Sequence, residues 1–351
     1  MRWTALIPVV PLAFACGAAW GQAQEFRLGD EGWAQVEAPE PGSDAAVIAE
    51  ARRHVAEGRP DKAKRMLNRW IEEHERTDNP YLPEAYLVRG DAWVADDNEY
   101  EALYDYETVI NDFPASPAFP EAIEREYEIG RAYVNGLRRK IWKWSLLRLD
   151  SAVGLGEELL IRVQERMPGS RLAERAALTL AENYYRRRQM RLASEMYGIY
   201  LANFPQTERR EEAQRRQIYA NVARFKGPRY DASPLIESEA LIRRFQAEHP
   251  AEAEATGINQ GLLVRIDESA AQQVLETARW YLQVADEPSA LFTMRRLLRK
   301  HPESAAAQEA YRIMVDRGWA EPPPEEPDPD VEAGAAFGVG ADAEAPEEAR
   351  P

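Results

Sequence analysis

Residues Leu82 to Pro114 read LPEAYLVRGDAWVADDNEYEALYDYETVINDFP. Gly90 is followed twelve positions on by Ala102, and Ala102 twelve further by Pro114. The same spacing returns at Ala181, Ala193 and Pro205, and again at Ala278, Ala290 and Pro302. Large side chains keep step with it. Trp93, Tyr184 and Tyr281 stand three after the small residue, Tyr106, Tyr197 and Met294 four after the alanine, and Ile110, Leu201 and Leu298 eight after it. Two crossing helices need small residues where they approach and large ones beside the crossing. A proline ends the second helix, because it has no N–H to give and its ring collides with the preceding turn. The stretch therefore predicts a helical hairpin, repeated.

A helical-hairpin unit of about 34 residues is the tetratricopeptide pattern. The fold expected is all-α: a tetratricopeptide-type solenoid of about five to six units over 44–317, with a disordered acidic tail over 318–351. The first hairpin starts near Asp44 with Ala51, Gly58 and Ala63 in register, and the second spans about Leu82 to Phe113. The third begins near Phe119 and closes at Pro168, the fourth runs from about Leu172 to Phe204, and the fifth from about Glu211 to Pro250. The sixth reaches Pro302, and Ala305 to Arg317 forms a last covering helix. Ser116, Ser170, Thr207 and Ser304 each follow a proline by two positions, where their side chains can cap the next helix. No stretch alternates with period two, so essentially no sheet is expected.

The register fails at two places, the insert after Gly136 and the loop at Lys226. From Gly130 to Gly156, which stands where the repeat alanine belongs, there are 26 positions instead of twelve. Residues 137–150 are thus an insert between the two helices of one hairpin. They are basic and aromatic, with Arg138, Arg139, Lys140, Trp142, Lys143 and Trp144, in a chain of net charge -16. Two readings stay open: contact with an anionic membrane surface or partner, or tryptophans packed on the solenoid with cations in water.

The ends carry their own signals. Arg2 followed by the apolar run Trp3 to Ala15 reads as an export signal over 1–23. Ala19-Trp20-Gly21 and Gly21-Gln22-Ala23 offer ordinary cleavage sites, while Cys16, the single cysteine, offers a lipid anchor as an alternative. Residues 24–43 form an extended lead-in. Glu321 to Pro351 holds ten acids against Arg350 and seven prolines, a composition that cannot bury enough apolar surface to order itself.

Acidity of this degree argues against a nucleic-acid partner held by phosphate neutralisation. No phosphate-cradling glycine loop or nucleophile elbow is present. His54, His74, His249 and His301 lack the local partners of a metal or catalytic site, and His249 and His301 precede prolines as Phe113 and Phe204 do. Acid pairs such as Glu72-Glu73, Glu157-Glu158 and Glu211-Glu212 read as solvated helix faces. No enzyme activity, metal or cofactor is expected. In such a solenoid the first helix of each hairpin lines a groove, through the residue after the small one and those three before and four after it. That gives Leu87, Asp91 and Val94; Tyr127, Arg131 and Val134; and Leu178, Glu182 and Tyr185. Apolar and aromatic anchors among a few charges suit an extended peptide or partner helix, unless they pack against neighbouring units.

The order of these features, with the Lys226-Gly227-Pro228-Arg229-Tyr230-Asp231 loop followed by Ser238, Ile242, Phe245 and Pro250, resembles the BamD family of outer-membrane assembly lipoproteins. The resemblance covers about Asp44 to Arg317. It implies a non-enzymatic role at the periplasmic face of the outer membrane, with a barrel-insertion protein and unfolded outer-membrane proteins as partners. Membrane contact would then come only through lipidated Cys16. By the same resemblance the groove residues of units two to four are substrate candidates, and units four to six carry the docking surface. A different periplasmic adaptor, serving envelope, division or peptidoglycan machinery, is the alternative.

Overall fold

A computed structural model describes residues 26–29, 32–35, 39–140 and 148–322, with backbone alone for 26–29, 32–35, 139–140 and 148–150. The fold is all-α. Helices pair as α1 (Asp44–Ala56) with α2 (Pro60–His74), α3 (Leu82–Ala95) with α4 (Glu99–Asp112), and α5 (Ala118–Val134) with α6 (Val153–Arg166). Then come α7 (Arg171–Arg186), α8 (Met190–Asn203), α9 (Arg210–Val222), α10 (Ser233–Glu248) and the short α11 (Pro250–Ala255). The long α12 (Gln260–Gln283) pairs with α13 (Glu287–Lys300), and α14 (Ala305–Asp316) covers both. The chain divides into two compact units, residues 1–176 and 177–351, whose boundary falls inside α7.

The twelve-and-twelve spacing becomes packing in each unit. Ala102, Ala193 and Ala290 are fully buried, as are Tyr106, Tyr197 and Met294 four positions on. Small residues bring the helices together and the long side chains fill the flanks, each buried one contributing about 1.5–3 kcal/mol. At the turn between paired helices the chain passes through left-handed backbone seven residues after the small residue. Gly58 (φ 71°), Asp97 (φ 56°), Arg188 (φ 57°) and Ala285 (φ 60°) all occupy it. At the other end of the hairpin Phe113, Met167, Phe204, His249 and His301 share φ near -130° and ψ between 51° and 68°. Each precedes a proline, whose ring pushes the residue before it out of the α region.

The four predicted hydroxyl caps form. Ser116 accepts from Ala118 N at 3.0 Å, Ser170 from Ala173 N at 3.0 Å, Thr207 from Arg209 N at 3.1 Å, and Ser304 from Ala307 N at 3.1 Å. Two short antiparallel pairs accompany the helices and leave the fold all-α. In the lead-in, β1 (Phe26–Gly29) pairs with β2 (Gly32–Gln35). Inside the insert, β3 (Arg138–Lys140) pairs with β4 (Arg148–Ser151), matching Arg138 to Ser151 and Arg139 to Asp150, with a register shift at Arg139/Lys140. These strands have three or four residues, too few to show a period of two. The export signal with Cys16, Trp142, Lys143 and Trp144, and the tail beyond Pro322 lie outside the described residues.

Candidate partner-binding surfaces

In the first unit the predicted groove residues fall on α3 and α5, which lie side by side. Leu87, Tyr127 and Val134 are buried, so their contribution is to packing; Asp91 and Val94 are half-buried and Arg131 is exposed. Asp91 joins three helices. Its Oδ1 accepts from the Tyr106 hydroxyl of α4 at 2.8 Å and from Arg125 Nε of α5 at 2.9 Å. That hydrogen bond and the paired charge hold the Arg125 guanidinium well above its usual range, and burial with the Asp91 charge does the same to the Tyr106 phenol. Asp91 is therefore engaged within the chain. Beside it the Tyr127 ring has Arg175 over it at 4.6 Å and Arg131 at 5.7 Å. The surface left to a partner at these positions is Val94, the guanidinium of Arg131 and the flank of Asp91.

Deeper in the same unit, α4, α5 and α6 converge on a charged cluster. Arg166 donates to Glu126 and, at 2.6 Å, to Glu107 Oε2, while Arg162 reaches Glu107 Oε1 at 2.7 Å. Glu126 is fully buried with one carboxylate oxygen lacking a partner. Burial raises its pKa, Arg166 opposes and Glu107 adds to the rise, and the result stands at about 7. Glu107, with two arginines on it, is held below its usual range despite its own burial.

In the second unit Leu178, Glu182 and Tyr185 are all half-buried. Tyr185 stands edge-on to Tyr197 with ring centres 6.3 Å apart, and Arg216 of α9 lies over its face at 5.3 Å. Glu212 accepts from Arg216 Nη2 at 3.0 Å and lies 3.1 Å from Arg209, which also approaches Glu182 at 3.8 Å. Arg209, the N-cap of α9, and Glu212 and Arg216 within it thus stand beside Glu182 and Tyr185. Arg216 is 31 positions from Tyr185 in the chain, and nothing in the local sequence marks the pair.

The Lys226–Asp231 loop enters α10 through Asp231, which accepts from Ser233 N at 3.0 Å and Ser233 Oγ at 2.8 Å. Arg229 lies 3.8 Å from Glu276 of α12, and Tyr230 is left exposed. In the insert, β3 runs beside α4 and Arg138 is exposed. Among the described residues no three His, Cys, Asp or Glu side chains gather as a metal site, and no helix is long and apolar enough to cross a membrane. His301 instead bonds Asp267 at 2.7 Å, His74 stacks on Trp70 at 4.2 Å, and the His249 ring sits 5.3 Å from that of Phe245.

Residues 152–319 match the YfiO family, described as outer membrane lipoprotein. This stretch is similar to the family of BamD. The YfiO-like segment begins at Ala152, just before α6, and contains the Lys226–Asp231 loop and all of α6 to α14. No curated protein matches the chain. Similar solved structures are built of tetratricopeptide repeats or related units. The C-terminal part of a repeat protein from Cytophaga hutchinsonii is 12% identical, covering 77% of this chain and 88% of that one, with a TM-score of 0.36. The nearly identical TPR-like repeats of a Podospora anserina kinesin light chain are 19% identical over 60% and 95%, with a TM-score of 0.32. PilW, a type IV pilus biogenesis factor, is 13% identical over 76% and 96%, with a TM-score of 0.28.

Proposed function

We propose that this chain is a periplasmic scaffold of the outer-membrane β-barrel assembly machinery, binding partner and substrate proteins through its repeat surfaces without catalysis. The observation that carries the reading is the match of residues 152–319 to an outer membrane lipoprotein family. The surfaces support it chemically. Tyr185 under Arg216, and the exposed guanidinium of Arg131 beside Val94, place aromatic, apolar and guanidinium groups together, with tyrosine and arginine among the residue types that dominate protein recognition. An unfolded outer-membrane strand, alternating apolar and polar side chains, offers complementary partners to both.

In this reading Val94, Arg131, Leu178, Glu182 and Tyr185 meet the substrate, units four to six dock on the barrel-insertion protein, and Cys16, when lipidated, tethers the assembly to the membrane. The decisive experiment is affinity purification of the full chain from envelope extract. Co-recovery of the barrel-insertion protein is expected. Recovery of division or cell-wall proteins in its place sinks the proposal.

A further inference from the structure

One face of α13 is left uncovered by the packing. Phe292, Arg295, Arg296 and Arg299 recur at spacings of three, four and seven, which puts them on one side of the helix, with Lys300 adjoining. All five are exposed, Phe292 at 62%. Among the described residues none of the four cations has an ion-pair partner, whereas nearby Arg279 binds Glu276 and Glu309 and Arg317 binds Glu287. The helix dipole accounts for Arg299 and Lys300 in the last turn, but not for Arg295 and Arg296. Phe292 and Arg296 also border an open trough of 310 Å³ whose far wall is Thr277 and Tyr281 of α12. In a chain of net charge -16, a bare cationic face beside an aromatic trough needs an occupant.

The chain supplies one at the right place. Arg317, just after α14, lies 3.1 Å from Glu287 at the first turn of α13, so α14 returns the chain to the start of this face. The Tyr311 hydroxyl donates to the Glu321 carbonyl at 2.7 Å and fixes the point of departure. Residues 323–351 then carry nine carboxylates against Arg350 alone, with a single aromatic, Phe337. From Phe292 to Lys300 the face is about 12 Å long. The stretch from Pro322 to Phe337, semi-rigid at its prolines, spans up to about 50 Å extended.

We propose that residues 323–351 dock in cis on the cationic face of α13, with Phe337 seated in the trough beside Phe292 and Tyr281. The carboxylates on either side of Phe337 pair with Arg295, Arg296, Arg299 and Lys300. A tether of this length presents its segment at millimolar effective concentration, so individually weak surface pairs suffice. The docked segment shields these cations from other anionic partners, independently of which machinery the scaffold serves.

The test uses the full chain with Cys16→Ser and two spin labels, at Gln308→Cys on α14 and Ala341→Cys in the acidic segment, read as a distance distribution. At low ionic strength a narrow short-distance population is expected. It should be lost at about 0.5 M salt, where screening is strong, and in Arg295→Glu/Arg296→Glu/Arg299→Glu. Circular dichroism checks that this variant keeps its helix content, and Phe337→Ala reads the trough contact separately as a broadened distribution. An identical distribution in the parent and the charge-reversed chain overturns the proposal. So does co-sedimentation of the parent chain with phosphatidylglycerol vesicles that charge reversal abolishes, because the face would then be open to lipid.

Discussion

Gly130 and Gly156 face each other across α5 and α6. A Cβ on Gly156 would stand 2.8 Å from the Gly130 carbonyl oxygen and 2.8 Å from Tyr133 Cβ. Both obstacles belong to the helix backbone or its first side-chain atom and cannot swing aside. Gly156→Ala is therefore expected to lower stability by about 1–3 kcal/mol through overpacking. Gly154, two residues earlier, has open space around its Cβ position. Gly154→Ala should raise stability by up to about 1 kcal/mol. Urea denaturation midpoints of the two variants, compared with the parent, read opposite signs.

The left-handed residue at the turn of each hairpin gives a second prediction. Ala285 holds φ 60° with a Cβ, at a cost of about 1 kcal/mol relative to glycine. Ala285→Gly should raise the thermal midpoint. Gly58→Ala, at φ 71° with space around it, should lower stability by a similar amount. A destabilising Ala285→Gly would show that the backbone cost is not what decides this turn.

Glu126 predicts a pH dependence. Its pKa is raised in the folded state from 4.5 to about 7, so the folded chain holds a proton that the unfolded chain releases. The resulting stabilisation is full below pH 4.5 and is lost as pH rises toward 7. Glu126→Gln keeps the shape and removes the titration. Stability measured from pH 4.5 to 8 should show a shallower decline in the variant than in the parent, and equal slopes would contradict the assignment.

The positions of the helices were legible because small residues, prolines and the hydroxyls after them act within one hairpin. Gly90, Ala102 and Pro114 specify their neighbourhood through contacts that recur at fixed sequence distance. The likeness to the BamD family was legible in the same way, and the match over 152–319 bears it out. What escaped depends on residues far apart. Arg166 meets Glu126 and Glu107 from 40 and 59 positions away, and Arg216 reaches Tyr185 from the next hairpin. The burial of Leu87, Tyr127 and Val134 follows from the fit of neighbouring helices, which spacing within one helix does not encode.

Asp91 and Arg216 separate stability from binding. Asp91→Ala strips the partner from Arg125 and the Tyr106 hydroxyl, and should cost about 1–3 kcal/mol of stability. Arg216→Ala exposes the Tyr185 face and, losing one cation–π contact and one partly exposed ion pair, should cost about 1 kcal/mol of stability or less. Under the proposed function it should weaken binding of an unfolded outer-membrane protein about tenfold, measured by fluorescence anisotropy. Loss of stability without loss of binding in Arg216→Ala would remove this residue from the surface.

The strand pair of the insert brings Arg138 and Ser151 opposite one another, at the point where an ordinary hairpin turn would lie. The fourteen residues 137–150 thus leave and rejoin the helices through a closed neck. Such a segment is exchangeable: a short turn could replace it, or a longer recognition module could be grafted in its place, with Gly130 and Gly156 still in register. The hairpin offers an attachment point at which binding specificity can be rewritten without refolding the scaffold.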